Sequence, residues 1–460
     1  FGYSVSTAGD VNGDGYADVI AGAHEYDNGE SGEGRAYVYH GSADGLAATP
    51  NWTAEGDHQF ARFGWSVSTA GDANGDGYAD VIVGARTYTN GMPGEGQAYV
   101  YHGSAAGLSA TAAWTREGDV AYAYFGGSVS TAGDVNGDGY ADVIIGAYSE
   151  SHGQTYEGRA YVFCGSAGGV LATPNWTAES DQDSAQFGVS VSTAGDVNGD
   201  GYADVVIGAY SYDHYQTDEG RAFVYHGSAS GLSATSGWTG ESDQDYAQFG
   251  YSVSTAGDVN GDGYADVIVS AQYYDSGQAE EGRAYVYHGS VSGLSATANW
   301  SAESNAVSAF FGYSVSTAGD VNGDGYDDVI VGACGYETYE GRAYVYHGSA
   351  GGLAALSNWS TTSDQSWSEF GYSVSTAGDV NGDGYADVIV GARDYDNGET
   401  DEGGAFVYHG SASGLSTTAD WTAESDQESA RFGHSVSTAG DVNGDGYSDV
   451  IVSASSYDNA

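Results

Sequence analysis

Lysine is absent from this chain, and all ten basic residues are arginine. The acidic residues number 64, so the formal net charge is −54. Nucleic-acid binding needs basic patches, and docking on anionic membranes needs clustered basic residues. The composition therefore argues against nucleic-acid partners and against membrane docking, and it suits cation binding, high solubility or a salty medium.

Proline and cysteine are also scarce, at three and two residues in 460. Cys164 and Cys334 occupy non-equivalent positions, so a disulfide framework is not expected. No apolar run approaches the roughly 18 residues of a membrane helix. The chain shows no signal peptide and starts at Phe1 without methionine, which we interpret as a mature fragment or a processed product.

Glycine and tyrosine are abundant, with 75 and 39 residues, and nine tryptophans accompany them. This chain is too aromatic to be disordered, and it lacks the strict triplet period of collagen. Short strands joined by glycine-rich turns are the structure that this composition favours.

A Phe-Gly pair recurs along the chain in steps of 62 residues five times, then 59, then 62. We treat residues 1–460 as a single domain of seven complete repeats followed by a half repeat, 432–460. The complete repeats start at Phe1, Phe63, Phe125, Phe187, Phe249, Phe311 and Phe370.

Each complete repeat holds four strand-like segments, of the type GYSVSTAGD, YADVIVGA, GRAYVYHGS and NWTAE. Gly, Asp, Asn and Ser separate the segments, and the 3.6-residue period of a helix is missing. Four short strands per repeat predict an all-β fold, a β-propeller of four-stranded antiparallel blades. A β-solenoid is the alternative, although its coils usually need shorter repeats.

The half repeat decides how many blades we expect. A seven-bladed ring would leave this hairpin without a place and expose apolar residues such as Phe432 and Val450. We therefore predict eight inner hairpins, in an eight-bladed ring whose last blade is incomplete, with 432–460 between repeats 7 and 1. Seven blades is the alternative. Strands preceding Phe1 or a donor strand from a neighbour could complete the open edge, which makes self-association possible.

The first hairpin of every copy carries the loop D-x-N-G-D-G-Y-x-D. In the first copy, Asp10, Asn12 and Asp14 supply three side chains, Tyr16 supplies its backbone carbonyl, and Asp18 closes the ring. Calcium takes about six to eight oxygen ligands. Crowded carboxylates repel one another without a cation, which disfavours the alternative of a plain Asx-rich turn. We predict one Ca²⁺ per repeat, up to eight.

The predicted calcium ligands are Asp10, Asn12, Asp14, Tyr16, Asp18, Asp72, Asn74, Asp76, Tyr78, Asp80, Asp134, Asn136, Asp138, Tyr140, Asp142, Asp196, Asn198, Asp200, Tyr202, Asp204, Asp258, Asn260, Asp262, Tyr264, Asp266, Asp320, Asn322, Asp324, Tyr326, Asp328, Asp379, Asn381, Asp383, Tyr385, Asp387, Asp441, Asn443, Asp445, Tyr447 and Asp449. The loop differs from an EF-hand, which needs a glutamate at its twelfth position and a helix after it. Here that position is Ala21 in the first copy and Val or Ile in the others, and a strand-like segment follows.

Phe-Gly at the start, D-x-N-G-D-G-x-x-D in the first hairpin and Gly-Ala after the second strand together resemble the FG-GAP repeat of integrin α-subunit propellers and related surface proteins, including lectins. The resemblance implies that the loops between strands 1 and 2 bind Ca²⁺ on one face, and that ligands meet the opposite face. Two departures exist. Pro is missing from the third position of "GAP", as at His24, and integrin propellers have seven repeats.

Antiparallel strands reverse at every turn, so one face should carry the near-constant 1–2 loops and 3–4 turns, and the other the variable 2–3 and 4–1 loops. We call these the first face and the second face. Tyrosines beside Asp, Asn and Ser on the second face resemble antibody contact surfaces; packing of each Tyr under its own loop is the alternative. The candidate ligand-binding residues are Tyr26, Tyr88, Tyr148, Tyr212, Tyr215, Tyr274, Tyr336 and Tyr395, with Tyr457 in the half repeat.

Two other residue types recur once per repeat. A histidine such as His40 ends the third strand in six repeats, and we expect structural hydrogen bonding from it. A tryptophan such as Trp52 begins the fourth strand, and we expect it to pack in the core or at a blade edge rather than to hold a sugar.

No Ser/His/Asp set, phosphate loop or singled-out carboxylate pair is present in the sequence. We therefore expect a secreted or cell-surface calcium-binding propeller that binds a protein or glycan, and not an enzyme. A structural component of a surface layer or filament is the alternative, and a polysaccharide-degrading enzyme comes third.

Overall fold

The computed structural model describes residues 1–458 and consists almost entirely of short strands. The last two residues of the half repeat lie outside the described part. The strands form seven four-stranded sheets and one two-stranded sheet. Within each sheet, neighbouring strands follow one another in the sequence and pair antiparallel. Each sheet is one blade.

The strands of blades 1–4 are β1 (Ser4–Gly9), β2 (Asp18–Ala23), β3 (Arg35–Tyr39), β4 (Trp52–Glu55), β5 (Phe63–Gly71), β6 (Asp80–Ala85), β7 (Gln97–Tyr101), β8 (Trp114–Glu117), β9 (Ser128–Gly133), β10 (Asp142–Ala147), β11 (Arg159–Phe163), β12 (Trp176–Glu179), β13 (Ser190–Gly195), β14 (Asp204–Ala209), β15 (Arg221–Tyr225) and β16 (Trp238–Glu241).

Blades 5–8 comprise β17 (Phe249–Gly257), β18 (Asp266–Ala271), β19 (Arg283–Tyr287), β20 (Trp300–Glu303), β21 (Val315–Gly319), β22 (Asp328–Ala333), α1 (Tyr336–Tyr339), β23 (Arg342–Tyr346), β24 (Trp359–Thr362), β25 (Phe370–Gly378), β26 (Asp387–Ala392), β27 (Gly404–Tyr408), β28 (Trp421–Glu424), β29 (Phe432–Gly440) and β30 (Asp449–Ala454). The four-residue element α1 lies in the shortened sixth repeat and is a tight turn rather than a regular helix, since Glu337, Thr338 and Tyr339 have positive φ. Within residues 1–458, no helix has the length and apolar character needed to cross a bilayer.

The eight inner strands follow one another around the central axis. Strand β29 of the half repeat contacts both β25 of blade 7 and β1 of blade 1, so it closes the ring. The predicted position of the hairpin between repeats 7 and 1 is therefore confirmed. The fold is an all-β propeller of seven four-stranded blades and an eighth, two-stranded partial blade.

The hydrophobic core lies between adjacent blades because strand 2 of each complete blade is buried over its whole length. Between blades 1 and 2, for example, Val38 and Trp52 pack in one cluster with Phe63 and Tyr99. The phenylalanine that opens a repeat is thus a core residue of a contact between blades. Burial of such side chains stabilises each contact by roughly 1.5–3 kcal/mol per residue.

A glycine in each 2–3 loop ties one blade to the next. Gly158, at φ +79°, forms a parallel bridge to Phe187 of the following blade. A Cβ atom at this glycine would collide with the backbone nitrogen and oxygen of Phe187. Both the positive φ and the close approach therefore require glycine here.

The partial blade leaves its neighbour incompletely covered. Trp421 on β28 is 43% exposed, whereas Trp52, Trp176 and Trp238 are 6–8% exposed. Strand β30 is only partly buried, unlike the corresponding strands of the complete blades. These exposures follow from the missing outer strands of blade 8.

Candidate functional site

The first face carries the eight D-x-N-G-D-G loops, which share one backbone conformation. In blade 1, Asp10 accepts hydrogen bonds from the backbone N–H groups of Gly13 at 2.6 Å and Gly15 at 2.8 Å. The amide oxygen of Asn12 accepts one from the N–H of Asp14 at 2.9 Å. Both glycines have positive φ. The side chains of the loop therefore hold a tight turn rich in oxygen ligands at the surface.

The final aspartate of the loop lies deeper than the others. Asp18 is fully buried, and its two carboxylate oxygens accept hydrogen bonds from the N–H groups of Val11 and Gly41, each at 2.9 Å. Burial raises the pKa of Asp18 to about 7, the two backbone hydrogen bonds oppose this rise, and the nearby Asp14 and Asp10 carboxylates add to it. Asp18 thus ties strand 2 to the loop and to the end of strand 3.

Neighbouring loops contact one another all the way round the first face. The ring of Tyr78 in blade 2 covers Gly13 of blade 1, where a Cβ atom would collide with it. In the same way, Tyr16 of blade 1 covers Gly444 of blade 8. The loop tyrosines therefore pack between blades, and the circle of loops closes through the partial blade.

The donor chemistry of each loop suits a calcium ion, although its three carboxylates do not converge within 4.8 Å of one another in residues 1–458. Asp, Asn, Asp and a backbone carbonyl supply only oxygens, the ligand type that calcium prefers. Burial disfavours the ionised form of Asp18, which its raised pKa reflects. A bound dication nearby would stabilise that ionised form. Calcium at Asp10, Asn12, Asp14, the Tyr16 carbonyl and Asp18 remains a prediction.

The predicted tyrosines of the second face lie in different environments. Tyr88 and Tyr274 are buried, and the Tyr274 hydroxyl donates to Asp243 at 3.2 Å. Tyr215 is 82% exposed beside His214. Tyr26, Tyr212, Tyr274 and Tyr336 each lie beneath an arginine at the start of strand 3, at 4.0–4.3 Å. Tyr395 packs on Phe406, the Tyr148 ring lies 5.9 Å from the Arg86 guanidinium, and Tyr457 is exposed.

The recurrent tryptophans and histidines both pack between blades. The indole Nε1 of Trp176 donates to the carbonyl of Ser233 in the next blade at 2.8 Å, and five other tryptophans do the same. The expectation of packing at blade edges is thus confirmed.

The His40 ring lies against Gly107 of the next blade, and its Nε2 has no hydrogen-bond partner in residues 1–458. Nε2 of four further histidines is also without a partner among the described residues, so these five rings pack between blades instead of making the expected hydrogen bond, whereas His409 Nδ1 lies 3.9 Å from Asp420.

The tips of the 4–1 loops present aromatic residues that the sequence analysis missed. Phe60, Tyr122, Tyr246 and Trp367 are 49–62% exposed and adopt φ between +59° and +70°. Non-glycine residues rarely adopt this conformation, and bulky ones least of all. The equivalent positions in the other complete blades are occupied by Ser184, Ser308 and Ser429, which also have positive φ.

Contacts with the 2–3 loops hold these tips in place. The N–H of Tyr246 donates to the carbonyl of Thr217, and that of Phe60 to the carbonyl of Ser31. Trp367 stacks on Tyr339 with ring centroids 5.2 Å apart and planes 9° apart. Tyr122 and Tyr156 line a groove of about 450 Å³. The second face therefore offers several rigid aromatic surfaces to solvent.

A second aromatic set surrounds the axis at the same face. Tyr3 contacts Trp65 and His434 at centroid distances of 4.7 and 5.0 Å, and Tyr372 contacts His434 at 5.3 Å. The Arg86 guanidinium lies 3.9 Å above the Trp65 ring. Tyr148, Tyr210, Tyr251 and Tyr313 extend the set around the axis. A signal was available in the sequence, because an aromatic residue follows Phe-Gly in most copies.

Curated proteins similar to the chain include integrin α subunits. Integrin alpha-5 of Xenopus laevis is 31% identical over 239 residues, which are 50% of this chain and 22% of that protein. Integrin alpha-V of Gallus gallus is 33% identical over 240 residues, 49% of this chain and 22% of that protein. The matched region thus spans about a fifth of these relatives.

Solved structures share the fold only. Sqt1 from Chaetomium thermophilum, bound to the N-terminus of the ribosomal protein L10, matches with a TM-score of 0.53 and 11% identity, over 98% of this chain and 95% of that one. The rhamnogalacturonan lyase YesW matches with a TM-score of 0.38 and 15% identity, over 88% and 68% of the two chains, a likeness too weak to bear on function.

The family model of the FG-GAP repeat matches every copy of the repeat. The matched residues are 1–39, 63–101, 125–163, 187–225, 249–287, 311–346, 370–408 and 432–460. The matches cover most of the chain and coincide with the Phe-Gly pairs and the loops of the first face. The chain therefore belongs to the FG-GAP repeat family, in an integrin-like propeller.

Proposed function

We propose that the chain is a secreted or cell-surface propeller that binds calcium through its first face and a protein or glycan ligand through its second face, without catalysing a reaction. Similarity to integrin α subunits supports an adhesion-type role. Calcium held by the eight loops would tether the inner hairpin of each blade and offset part of the net charge of −54.

The exposed aromatic tips of the 4–1 loops carry the ligand-binding part of this proposal. Exposed aromatic residues in strained backbone conformations cost free energy, and such strain clusters at ligand-binding sites. Flat aromatic rings offer a large contact area at low entropic cost, beside adaptable polar groups. Asp245 and Gln248 lie next to Tyr246 in a second groove, which provides such polar groups.

The test is a screen of glycans and extracellular-matrix proteins in the presence of Ca²⁺, followed by substitution at the tips. The variant Phe60→Ser, Tyr122→Ser, Tyr246→Ser and Trp367→Ser suits this purpose, because serine already occupies the tip in the three other complete blades. Leu356→Ser is the matched control, since Leu356 is 83% exposed in a 3–4 turn on the first face.

We expect a ligand whose affinity falls at least about ten-fold in the tip variant and is unchanged in the control, since aromatic anchors dominate such interfaces. A ligand that binds both variants equally would contradict the assignment to the tips. Ordered self-association with no ligand would instead support a structural surface-layer or filament component.

A further inference from the structure

Blade 3 brings one histidine and two glutamates together on the second face, far from the calcium loops. His152 and Glu157 belong to the 2–3 loop, and Glu179 ends strand β12. One ring nitrogen of His152 and one carboxylate oxygen of each glutamate lie within 4.8 Å of one another. Three potential metal ligands thus converge from two segments of one blade.

Two oxygens of this cluster are buried without any hydrogen-bond partner among residues 1–458. Glu157 is fully buried, and its Oε1 accepts the N–H of His152 at 2.6 Å, while its Oε2 has no partner. Glu179 Oε2 is likewise unpartnered. An unsatisfied buried carboxylate oxygen is costly, and a single bound cation would satisfy both.

The local charge also favours a dication. Glu150 is buried nearby, and Glu150 and Glu179 share a single guanidinium, that of Arg159, at 3.6 and 3.4 Å. Glu157 has no ion-pair partner among the described residues. Arg159 Nε is 3.4 Å from Glu179 Oε2, but the contact lacks hydrogen-bond geometry. The formal charges of Glu150, Glu157, Glu179 and Arg159 sum to about −2, which one divalent ion would balance.

Other blades share parts of this arrangement. His214, Glu219 and Glu241 form the equivalent cluster in blade 4, and Glu33 and Glu281, which correspond to Glu157, also have an unpartnered oxygen. The strand-4 glutamate, however, is held differently in blades 1 and 4. In blade 1, Asn28 Nδ2 donates to the Glu55 carboxylate at 2.9 and 3.1 Å. In blade 4, His214 Nδ1 lies 2.8 Å from Glu241 Oε1, and Arg221 bonds the other oxygen. Only in blade 3 does a histidine meet a strand-4 glutamate at 3.2 Å without a formed hydrogen bond, within the described residues.

We propose that His152, Glu157 and Glu179 bind a first-row transition-metal dication of the zinc class, at a site distinct from the calcium loops. One imidazole and two carboxylates are a suitable set for zinc, and three protein ligands leave a coordination position for water or for a donor atom of a ligand. His152 has a 55% exposed side chain, which gives the ion a path from solvent.

The experiment uses the full chain with saturating Ca²⁺, so that the loops of the first face do not compete for the added ion. Co²⁺ is titrated and its visible absorption is recorded, and Zn²⁺ is then added to displace it. The variants are His152→Asn and Glu157→Gln, and the control is His214→Asn. Asparagine occupies this position in blades 1, 2 and 7, so His152→Asn should fold normally, which Ca²⁺-dependent melting verifies.

The wild type should bind one Co²⁺ tightly, with d–d bands that Zn²⁺ abolishes. Both His152→Asn and Glu157→Gln should weaken this binding by at least about ten-fold, and His214→Asn should retain it. A wild type without such bands, or bands that survive both blade-3 substitutions, would overturn the proposal.

Discussion

At the scale of single residues, the strand-4 tryptophans measure how strongly neighbouring blades hold one another. Trp176→Phe removes the hydrogen bond to the Ser233 carbonyl and leaves that oxygen without its partner. We expect the free energy of unfolding, measured by urea denaturation in Ca²⁺, to fall by about 1–2 kcal/mol.

Trp421 provides the matched control, because it is 43% exposed and the partial blade offers its indole no such acceptor within residues 1–458. Trp421→Phe should change the free energy of unfolding by less than about 0.5 kcal/mol. Equal losses for the two substitutions would show that the hydrogen bond between blades contributes nothing measurable.

Two histidines near the axis should make the stability depend on pH. Burial, helped by nearby arginines, lowers the pKa of His24 and of His434 to about 4. An unfolded histidine titrates near pH 6.5. Between about pH 6.5 and 4, the unfolded chain therefore binds protons at these two sites that the folded chain does not, and their contribution to the free energy of unfolding falls as the pH falls. Buried aspartates such as Asp18, whose pKa is raised to about 7, contribute with the opposite sign.

His434→Phe should reduce that pH dependence, since phenylalanine keeps the ring contacts with Tyr3 and Tyr372 but cannot titrate. The check is the slope of melting temperature against pH over this window, with wild type and variant compared in the same buffers. Identical slopes would mean that His434 is protonated equally in both states.

At the scale of elements, the glycines of the 2–3 loops control how each blade meets the next. Gly158→Ala should lower the free energy of unfolding by about 1–3 kcal/mol, because it introduces a Cβ at positive φ and against the backbone of Phe187. Gly153→Ala in the same loop is the control, since nothing lies within 4 Å of its Cβ position. Similar melting temperatures for the two variants would show that the close contact between Gly158 and Phe187 does not stabilise the packing of the two blades.

The regular elements were predictable because the repeat shows them directly. Alternating residues predict strand 1, and a continuous Val/Ile run predicts the fully buried strand 2. The position of the half repeat was predictable because a seven-bladed ring would have left its apolar residues exposed. The face that carries the recurrent D-x-N-G-D-G loops also follows from the reversal of the antiparallel strands alone.

The second face was harder to predict because its contacts join residues that lie apart in the sequence. Positive φ at Tyr246 depends on a hydrogen bond to Thr217 in the 2–3 loop, and aromatic residues show no local preference for that conformation. The burial of Tyr274 depends on the Arg283 guanidinium, which covers its ring at 4.0 Å. Neither long-range contact is visible in a pattern of neighbours along the chain.

At the scale of the whole molecule, the charge of −54 should destabilise the metal-free fold by self-repulsion. In EDTA, the melting temperature should therefore rise as NaCl increases, because salt screens the repulsion. In saturating Ca²⁺ the dependence should be weaker, since bound ions cancel part of the charge. A melting temperature in EDTA that is independent of ionic strength would contradict this account.

Calcium binding by the eight loops is the central claim, and a calorimetric titration of the metal-free chain with Ca²⁺ tests it most directly. We predict close to eight ions bound per chain, one for each D-x-N-G-D-G-Y-x-D loop, with Mg²⁺ a poor substitute because it requires a tighter octahedral geometry. A stoichiometry near zero, with a melting temperature that EDTA leaves unmoved, would contradict the claim.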